Sequence, residues 1–304
     1  MRDVAGRVAF ITGGASGLGF GMAQAFVSAG MKVVIADIRQ DHLDQAIEHF
    51  ARAGKRHAVH PIRLDVTDRQ AMAEAADETE KVFGKVHLVC NNAGVNLFND
   101  IATASYEDWD WILGVNLGGV VNGVHTFIPR LRKHAEGGHI VNTASMAAFI
   151  AGPNAGIYTC SKFAVRGLSE ALRYSVAPHG ISVSVVCPGL IDSHIYESDK
   201  VRPAHLAASA GASAAASELM TRLAELHRRA GMPPLEAGQK VLRGILRNDF
   251  YIFTHPEFKE ELREIFDEAL AALPDETPPP ERLAFEDRRR ALKAQARAAF
   301  NSRP

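Results

Sequence analysis

Between residues 8 and 27 an apolar run, Val8-Ala9-Phe10-Ile11, is followed by Thr12-Gly13-Gly14-Ala15-Ser16-Gly17-Leu18-Gly19 and then by Met22-Ala23-Gln24-Ala25-Phe26-Val27. The order strand, glycine-rich turn, helix leaves little choice in how such a chain starts to fold. The helix must turn back over the end of the strand, with its free backbone N–H groups and the positive end of its dipole at the turn. That arrangement receives a pyrophosphate, and glycines remove the Cβ atoms that would hold the phosphates off. The spacing Gly13-x-x-x-Gly17-x-Gly19 departs from the commoner G-x-G-x-x-G, and a glycine turn with no ligand is the alternative.

The rest of the chain repeats the alternation. Strand-like apolar runs fall at Val8–Thr12, Lys32–Ala36, Ala58–Leu64, Val86–Cys90, His139–Thr143, Ile181–Val186 and Phe250–Phe253. Helical periodicity occupies Asp41–Ala53, Arg69–Phe83, Ser105–Leu131 and Tyr158–Ala177. Continuous apolar strands separated by helices predict an α/β fold, a doubly wound parallel sheet of about seven strands covered on both faces. A chain of 304 residues, 47% of them hydrophobic, fits one such unit. The reading places the sheet domain at residues 1–255, with 190–235 forming a lid inside it. Within that lid Ala207–Ser217 is nearly all Ala, Ser and Gly, which an ordinary surface loop would also show. Residues 256–304 form a helical extension, interrupted where Pro278-Pro279-Pro280 cannot continue a helix.

Tyr158 and Lys162 stand four residues apart in Tyr158-Thr159-Cys160-Ser161-Lys162, with Ser145 upstream. On a helix the phenol and the ammonium share a face. A fixed cation beside a phenol is expected to lower its pKa, preparing it to exchange a proton with an alcohol or ketone. Tyr-x-x-x-Lys is common by chance, so its weight comes from the glycine turn.

Together these motifs resemble the short-chain dehydrogenase/reductase family over residues 5 to about 255. Asn92-Ala93-Gly94 after the fourth strand, Asn116, Ser145, Tyr158, Lys162 and Pro188-Gly189 after the sixth strand all match in order. The resemblance implies that Tyr158 transfers the proton, that Lys162 also holds the nicotinamide ribose, and that Asn116 positions a water linking Lys162 to solvent. Ser145 would donate to the developing alkoxide or carbonyl oxygen. It also implies cofactor contacts at Thr12, Gly13, Ser16, Gly17, Leu18, Gly19, Asn92, Ala93, Gly94, Pro188, Gly189, Ile191 and Ser193. The family usually carries threonine where Ser193 stands.

Asp37 ends the second apolar run, where a carboxylate accepts from ribose hydroxyls and repels a 2′-phosphate. This favours NAD over NADP, although the nearby Arg39 could accommodate that phosphate. Asp65 and Val66 resemble the family pair that holds adenine; Asp65 can equally cap the following helix with Thr67-Asp68.

The expected reaction is hydride transfer between a nicotinamide and a secondary alcohol or ketone. Asn96, Phe98, Phe149, Ile195 and Tyr196 are the substrate-pocket candidates, and their apolar, aromatic character suits a bulky alcohol. Gly94-Val95-Asn96, Asp108-Trp109-Asp110-Trp111, Val201-Arg202-Pro203-Ala204 and the long extension look like bacterial Cα-dehydrogenases, which oxidise the benzylic alcohol of lignin-derived β-aryl ethers. Hydroxysteroid-type dehydrogenases are the alternative, and a non-catalytic NAD(P)-binding sensor a more distant one.

A net charge of −1 gives no reason to expect nucleic acid or an anionic membrane as partner. Cys90, Cys160 and Cys187 each sit in or beside an apolar run, so they are expected to be buried and reduced. Without C-x-x-C or paired histidines at ligand spacing, no catalytic metal is expected. No apolar run is expected to span a bilayer, and Met1-Arg2-Asp3-Val4 leaves no room for a leader, which predicts a cytoplasmic protein. Val115-Leu117-Val120-Val121-Val124 and Phe163-Val165-Leu168-Leu172 are apolar on more than one face. They predict a homodimer or homotetramer, unless the extension covers them.

Overall fold

The computed structural model describes residues 3–207, 222, 225, 226 and 228–301. Most of Ala207–Ser217, singled out in the lid, lies outside the described residues. Seven strands form one sheet: β1 (Val8–Thr12), β2 (Lys32–Asp37), β3 (Val59–Arg63), β4 (Leu88–Asn91), β5 (Gly138–Thr143), β6 (Ile181–Cys187) and β7 (Tyr251–Phe253). Every pairing is parallel and the order is β3-β2-β1-β4-β5-β6-β7. The order reverses between β1 and β4, and the carboxyl ends of the strands at such a switch point are where ligands bind in sheets of this kind.

Helices cover both faces. On one side lie α1 (Gly17–Ser28), α2 (Gln40–Arg52) and α7 (Pro234–Arg247), whose Met22, Phe26, Leu43, Phe50, Val241 and Ile245 pack on Ile11, Val33 and Ile35. On the other, α3 (Arg69–Phe83), α5 (Gly119–His134) and α6 (Gly156–Val176) place Met72, Phe127, Leu131 and Val176 against Phe10, Val34 and Ile140. Helices α1 and α7 cross so closely that a Cβ at Gly21 would sit 1.8 Å from the Pro234 carbonyl oxygen. Any side chain there forces the helices apart. The extension holds α8 (Lys259–Ala271) and α9 (Pro280–Asn301), and Lys293 of α9 reaches over the Tyr174 ring at 5.7 Å.

Three features depart from the sequence reading. The helix expected over Ser105–Leu131 is built of α4 (Tyr106–Leu113), a wider π turn over Gly114–Gly118, and α5. The stretch Tyr106–His134 as a whole is long and apolar enough by composition to cross a membrane, which the sequence reading did not anticipate. Its Trp111, Ile112, Val120, Phe127 and Leu131 are buried in the protein's core. Nor are the central strands wholly apolar: Asn91 donates to Asn142 Oδ1 at 2.8 Å, and Asn142 to Ser169 Oγ at 3.0 Å. Most of these polar groups pair with one another, though Asn91 Oδ1 has no partner among the described residues.

Cys90 and Cys187 are buried, whereas Cys160 is exposed on α6. Residues 158 and 162 face inward, so position 160, about half a turn away, is turned outward.

Candidate active site

A cavity of about 780 Å³ runs along the carboxyl ends of the strands. At one end it meets the glycine turn. Gly17 has φ of +48°, and a Cβ there would come within 2.8 Å of Ser193 Cβ. Ser16 begins α1 without a side-chain cap, so the first backbone N–H groups of the helix remain available to a ligand. Gly13, Ser16, Gly17 and Leu18 line this end together with Ile191 and Ser193.

Asp37 lies beyond them and is 8% exposed. Its oxygens accept from Ala15 N at 3.2 Å and Arg39 N at 3.1 Å, which leaves each with a further acceptor position. Burial pushes this carboxyl up, and the two backbone bonds pull it back down. Asp65 and Val66 line the same end; Asp65 accepts from Thr67 N at 2.9 Å in the turn, while the cap of α3 is Asp68 and not Asp65. These cradle residues, open helix end and acidic group together fit a dinucleotide.

Two residues expected to touch the cofactor stand behind the wall. Thr12 Oγ1 accepts from Asn92 N at 2.9 Å and Ala93 N at 3.1 Å, tying the β1 and β4 loops together. A Cβ at Gly19 would lie 2.0 Å from the Gly13 carbonyl oxygen, so this glycine permits the turn to close. Asn92, Ala93, Gly94, Pro188 and Gly189 do line the cavity.

Helix α6 brings Tyr158 and Lys162 to the middle of the cavity, and the loop after β5 brings Ser145. Ser145 hydrogen-bonds the Tyr158 hydroxyl, which pulls the phenol down against the upward push of burial. Lys162 is 3% exposed and donates to the Thr143 carbonyl at 3.0 Å. Its Nζ lies 5.4 Å from the centre of the Tyr158 ring. Burial brings Lys162 down to about 8. Ser145 supplies the downward pull on the phenol.

Asn116 does not line the cavity. From the π turn its Oδ1 accepts from Val95 N at 2.8 Å, and its Nδ2 donates to Val95 O at 2.9 Å and Ser161 Oγ at 3.0 Å. These bonds fix the β4 loop to α6.

On the substrate side the cavity is lined by Val95, Asn96, Phe98, Trp111, Ile150, Tyr196, Val201, Leu206 and Phe258. Phe98 and Tyr196 stack at 5.3 Å with planes 10° apart. Asn96 N donates to Ser198 Oγ at 3.0 Å, seating the lid turn Ile195–Val201 on the β4 loop. A buried ion pair, Arg202 to Asp108 at 2.7 Å, anchors the lid to α4, with Arg202 4.9 Å over the Trp111 ring.

Phe149 is the exception among the pocket candidates. It packs behind the wall under Arg166, 4.0 Å from ring centre to guanidinium, and against Tyr251, Phe253 and Phe266. The short turn Met146–Ala148 rotates the next side chain into the core. Ile150 takes the cavity position. Sequence reasoning missed Leu206 and Phe258, which nothing local to them marks; Trp111 was flagged only through the family resemblance.

The short chain dehydrogenase model matches residues 7–202. The C alpha-dehydrogenase of Sphingobium sp. is 41% identical over 267 residues, 88% of this chain and 86% of its own length. A short-chain dehydrogenase structure from Novosphingobium aromaticivorans superposes with a TM-score of 0.84 at 44% identity, covering 99% of this chain and 100% of the other. One from Burkholderia phymatum, in complex with NAD, gives 0.85 at 33% identity, covering 92% and 99%. The chain belongs to the short-chain dehydrogenase family and is an oxidoreductase.

Proposed function

We propose that the protein is an NAD-dependent dehydrogenase that interconverts a bulky aryl-substituted secondary alcohol and its ketone, with a benzylic alcohol of a lignin-type aryl ether as the substrate class of choice. The observation that carries the reading is one continuous cavity. It joins an uncapped helix end and a buried Asp37 to the Ser145–Tyr158–Lys162 group and then to an aromatic chamber. The 41% identity to the Sphingobium C alpha-dehydrogenase supports the benzylic alcohol, and the Phe98–Tyr196 stack and Trp111 supply flat apolar surface for aryl rings.

The order of groups along the cavity, with the family membership, supports these residue roles. The uncapped first turn of α1, with Ser16 and Gly17, would receive the pyrophosphate and Asp37 the adenosine ribose; Lys162, as the family resemblance implies, would hold the nicotinamide ribose. The nicotinamide supplies the hydride chemistry when bound. In the oxidative direction Tyr158, as phenolate, accepts the proton of the substrate hydroxyl. Ser145 donates to the oxygen as its charge changes, and the apolar chamber excludes water from that exchange. Asn116 keeps Val95 and Ser161 in register beside the reacting groups.

The test is NADH formation across a panel of aryl alcohols, with aryl-ether benzylic alcohols, sterols and alicyclic alcohols in parallel. Preferential turnover of the benzylic compounds is expected. Equal or greater turnover of sterols removes the substrate assignment. NADH binding without turnover of any of them removes the catalytic reading.

A further inference from the structure

Arg39 stands on the rim of the cavity next to Asp37, where a free guanidinium would welcome a 2′-phosphate. The structure engages it elsewhere. Its Nε donates to Asp41 Oδ1 at 3.0 Å, and a second guanidinium nitrogen bonds the other Asp41 oxygen. A third lies 3.8 Å from Glu197 Oε2. Glu197 is remote in sequence and belongs to the lid turn Ile195–Val201. The lid is held at this rim by two further contacts. The His194 and His42 rings are 5.0 Å apart, and Ser193 abuts the position a Cβ on Gly17 would take.

Three carboxylates, Asp37, Asp41 and Glu197, thus surround one guanidinium at the place where NAD and NADP differ. Glu197 also accepts from Lys200 at 2.6 Å and lies 3.6 Å from His194 Nδ1. Side-chain exposures of 24% for Arg39 and 40% for Glu197 make this a partly screened pair. Such a pair adds little to fold stability, and its effect is to orient the guanidinium and keep the local field negative.

We infer that Glu197 is a positioning residue for cofactor choice: reaching over from the lid, it joins Asp41 in holding Arg39 away from a 2′-phosphate, so the lid itself helps select NAD over NADP. This rests on the NAD reading of the site. Ile195, Tyr196 and Ser198, on the same lid turn, meet the substrate chamber and the β4 loop. One segment therefore contacts both ends of the cavity, and cofactor discrimination is coupled to how that segment sits.

Equilibrium titrations of NADH and NADPH, followed by their fluorescence, test this with wild type, Glu197→Gln, Arg39→Ala and the double variant. Glu197→Gln is expected to raise NADPH affinity relative to NADH by about fivefold, the scale of one partly screened ion pair. Arg39→Ala should abolish that gain, because the released charge is the one that binds the phosphate. An unchanged affinity ratio in Glu197→Gln, including an equal loss for both nucleotides from local damage, overturns the inference. A gain that persists without Arg39 overturns it too, since Glu197 would then act by its own charge or through Lys200 and not through Arg39. A wild type that binds NADPH more tightly than NADH overturns instead the NAD reading beneath it.

Discussion

Replacing Lys162 by methionine should make the protein more stable while disabling it. Burial pulls the lysine from 10.5 to about 8, so the folded chain holds its proton less tightly than the unfolded chain does. Below about pH 8 the folded state bears the whole cost of that buried charge, roughly 3 kcal/mol at about 1.4 kcal/mol per tenfold change. Between about 8 and 10.5 the unfolded chain keeps a proton that the folded chain has lost, so stability rises with pH and the cost vanishes above that window. Methionine matches the stem in length and carries no charge, but it forfeits the 3.0 Å bond to the Thr143 carbonyl, worth about 1 kcal/mol. The net gain near neutral pH is about 2 kcal/mol, or roughly 3 °C in melting temperature for a chain of this size.

Thermal unfolding of the cofactor-free wild type and Lys162→Met, run in parallel near pH 7 and near pH 10.5, reads this directly. The variant melts higher at neutral pH, and its advantage disappears at the alkaline end as the wild type sheds the penalty. A variant that melts lower at neutral pH, or a difference that does not change with pH, refutes the reasoning. NADH affinity and turnover should both fall in the variant. Together with the stability gain, that would show the buried ammonium is kept for the reaction and not for the fold.

Tyr158→Phe should reduce turnover by at least about a hundredfold, the scale of general acid–base catalysis, with NADH affinity nearly intact because the ring still fills its place. Retention of a few per cent of the wild-type rate would count against the proton-transfer role. Burial raises the Tyr158 phenol, so kcat/KM for oxidation should climb into the alkaline range while that for ketone reduction declines over the same interval. Ser145→Ala removes the bond that pulls the phenol down and should move both limbs to higher pH; an unshifted profile contradicts that bond. Val121 and Phe163 remain 43% and 42% exposed on α5 and α6, which supports a second copy packing on that face. Light scattering at micromolar concentration should show a dimer or tetramer, and a monomer near 33 kDa would contradict it.

The parts of the fold and site that the sequence announces are those whose signals are local. A strand, a glycine turn and a helix occupy one short stretch, so β1, α1 and the open helix end could be read from residues 8–27. Tyr158 and Lys162 likewise share one helix face. What could not be read depends on contacts between distant segments. Gly21 meets Pro234 through the crossing of α1 and α7, and Glu197 meets Arg39 only once the lid crosses the rim. Phe149 shows the opposite failure: its neighbours Met146 and Ile150 do face the cavity, but one tight turn sends the ring into the core. The break in the long helix was only partly legible: Asn116 between two glycines allows a structural residue at a helix kink. Gly114-Val115-Asn116-Leu117-Gly118 has no proline to mark it, and the wider turn is held from outside by the bonds of Asn116 to Val95 and Ser161.

The same distinction applies to the chemistry. A four-residue spacing guarantees that Tyr158 and Lys162 share a face, but it does not say which atom the ammonium approaches. Here Nζ donates to the Thr143 carbonyl and lies 5.4 Å from the centre of the ring. Burial meanwhile favours the neutral form of both groups. A site arranged this way resists charge until something charged or strongly polar enters beside it. The open end of α1 and the acceptor positions left on Asp37 are placed to receive such a group along the same cavity. Binding and proton transfer are then two demands on one buried lysine. Its cost to the fold is explained by the first demand, and its position one turn from Tyr158 by the second.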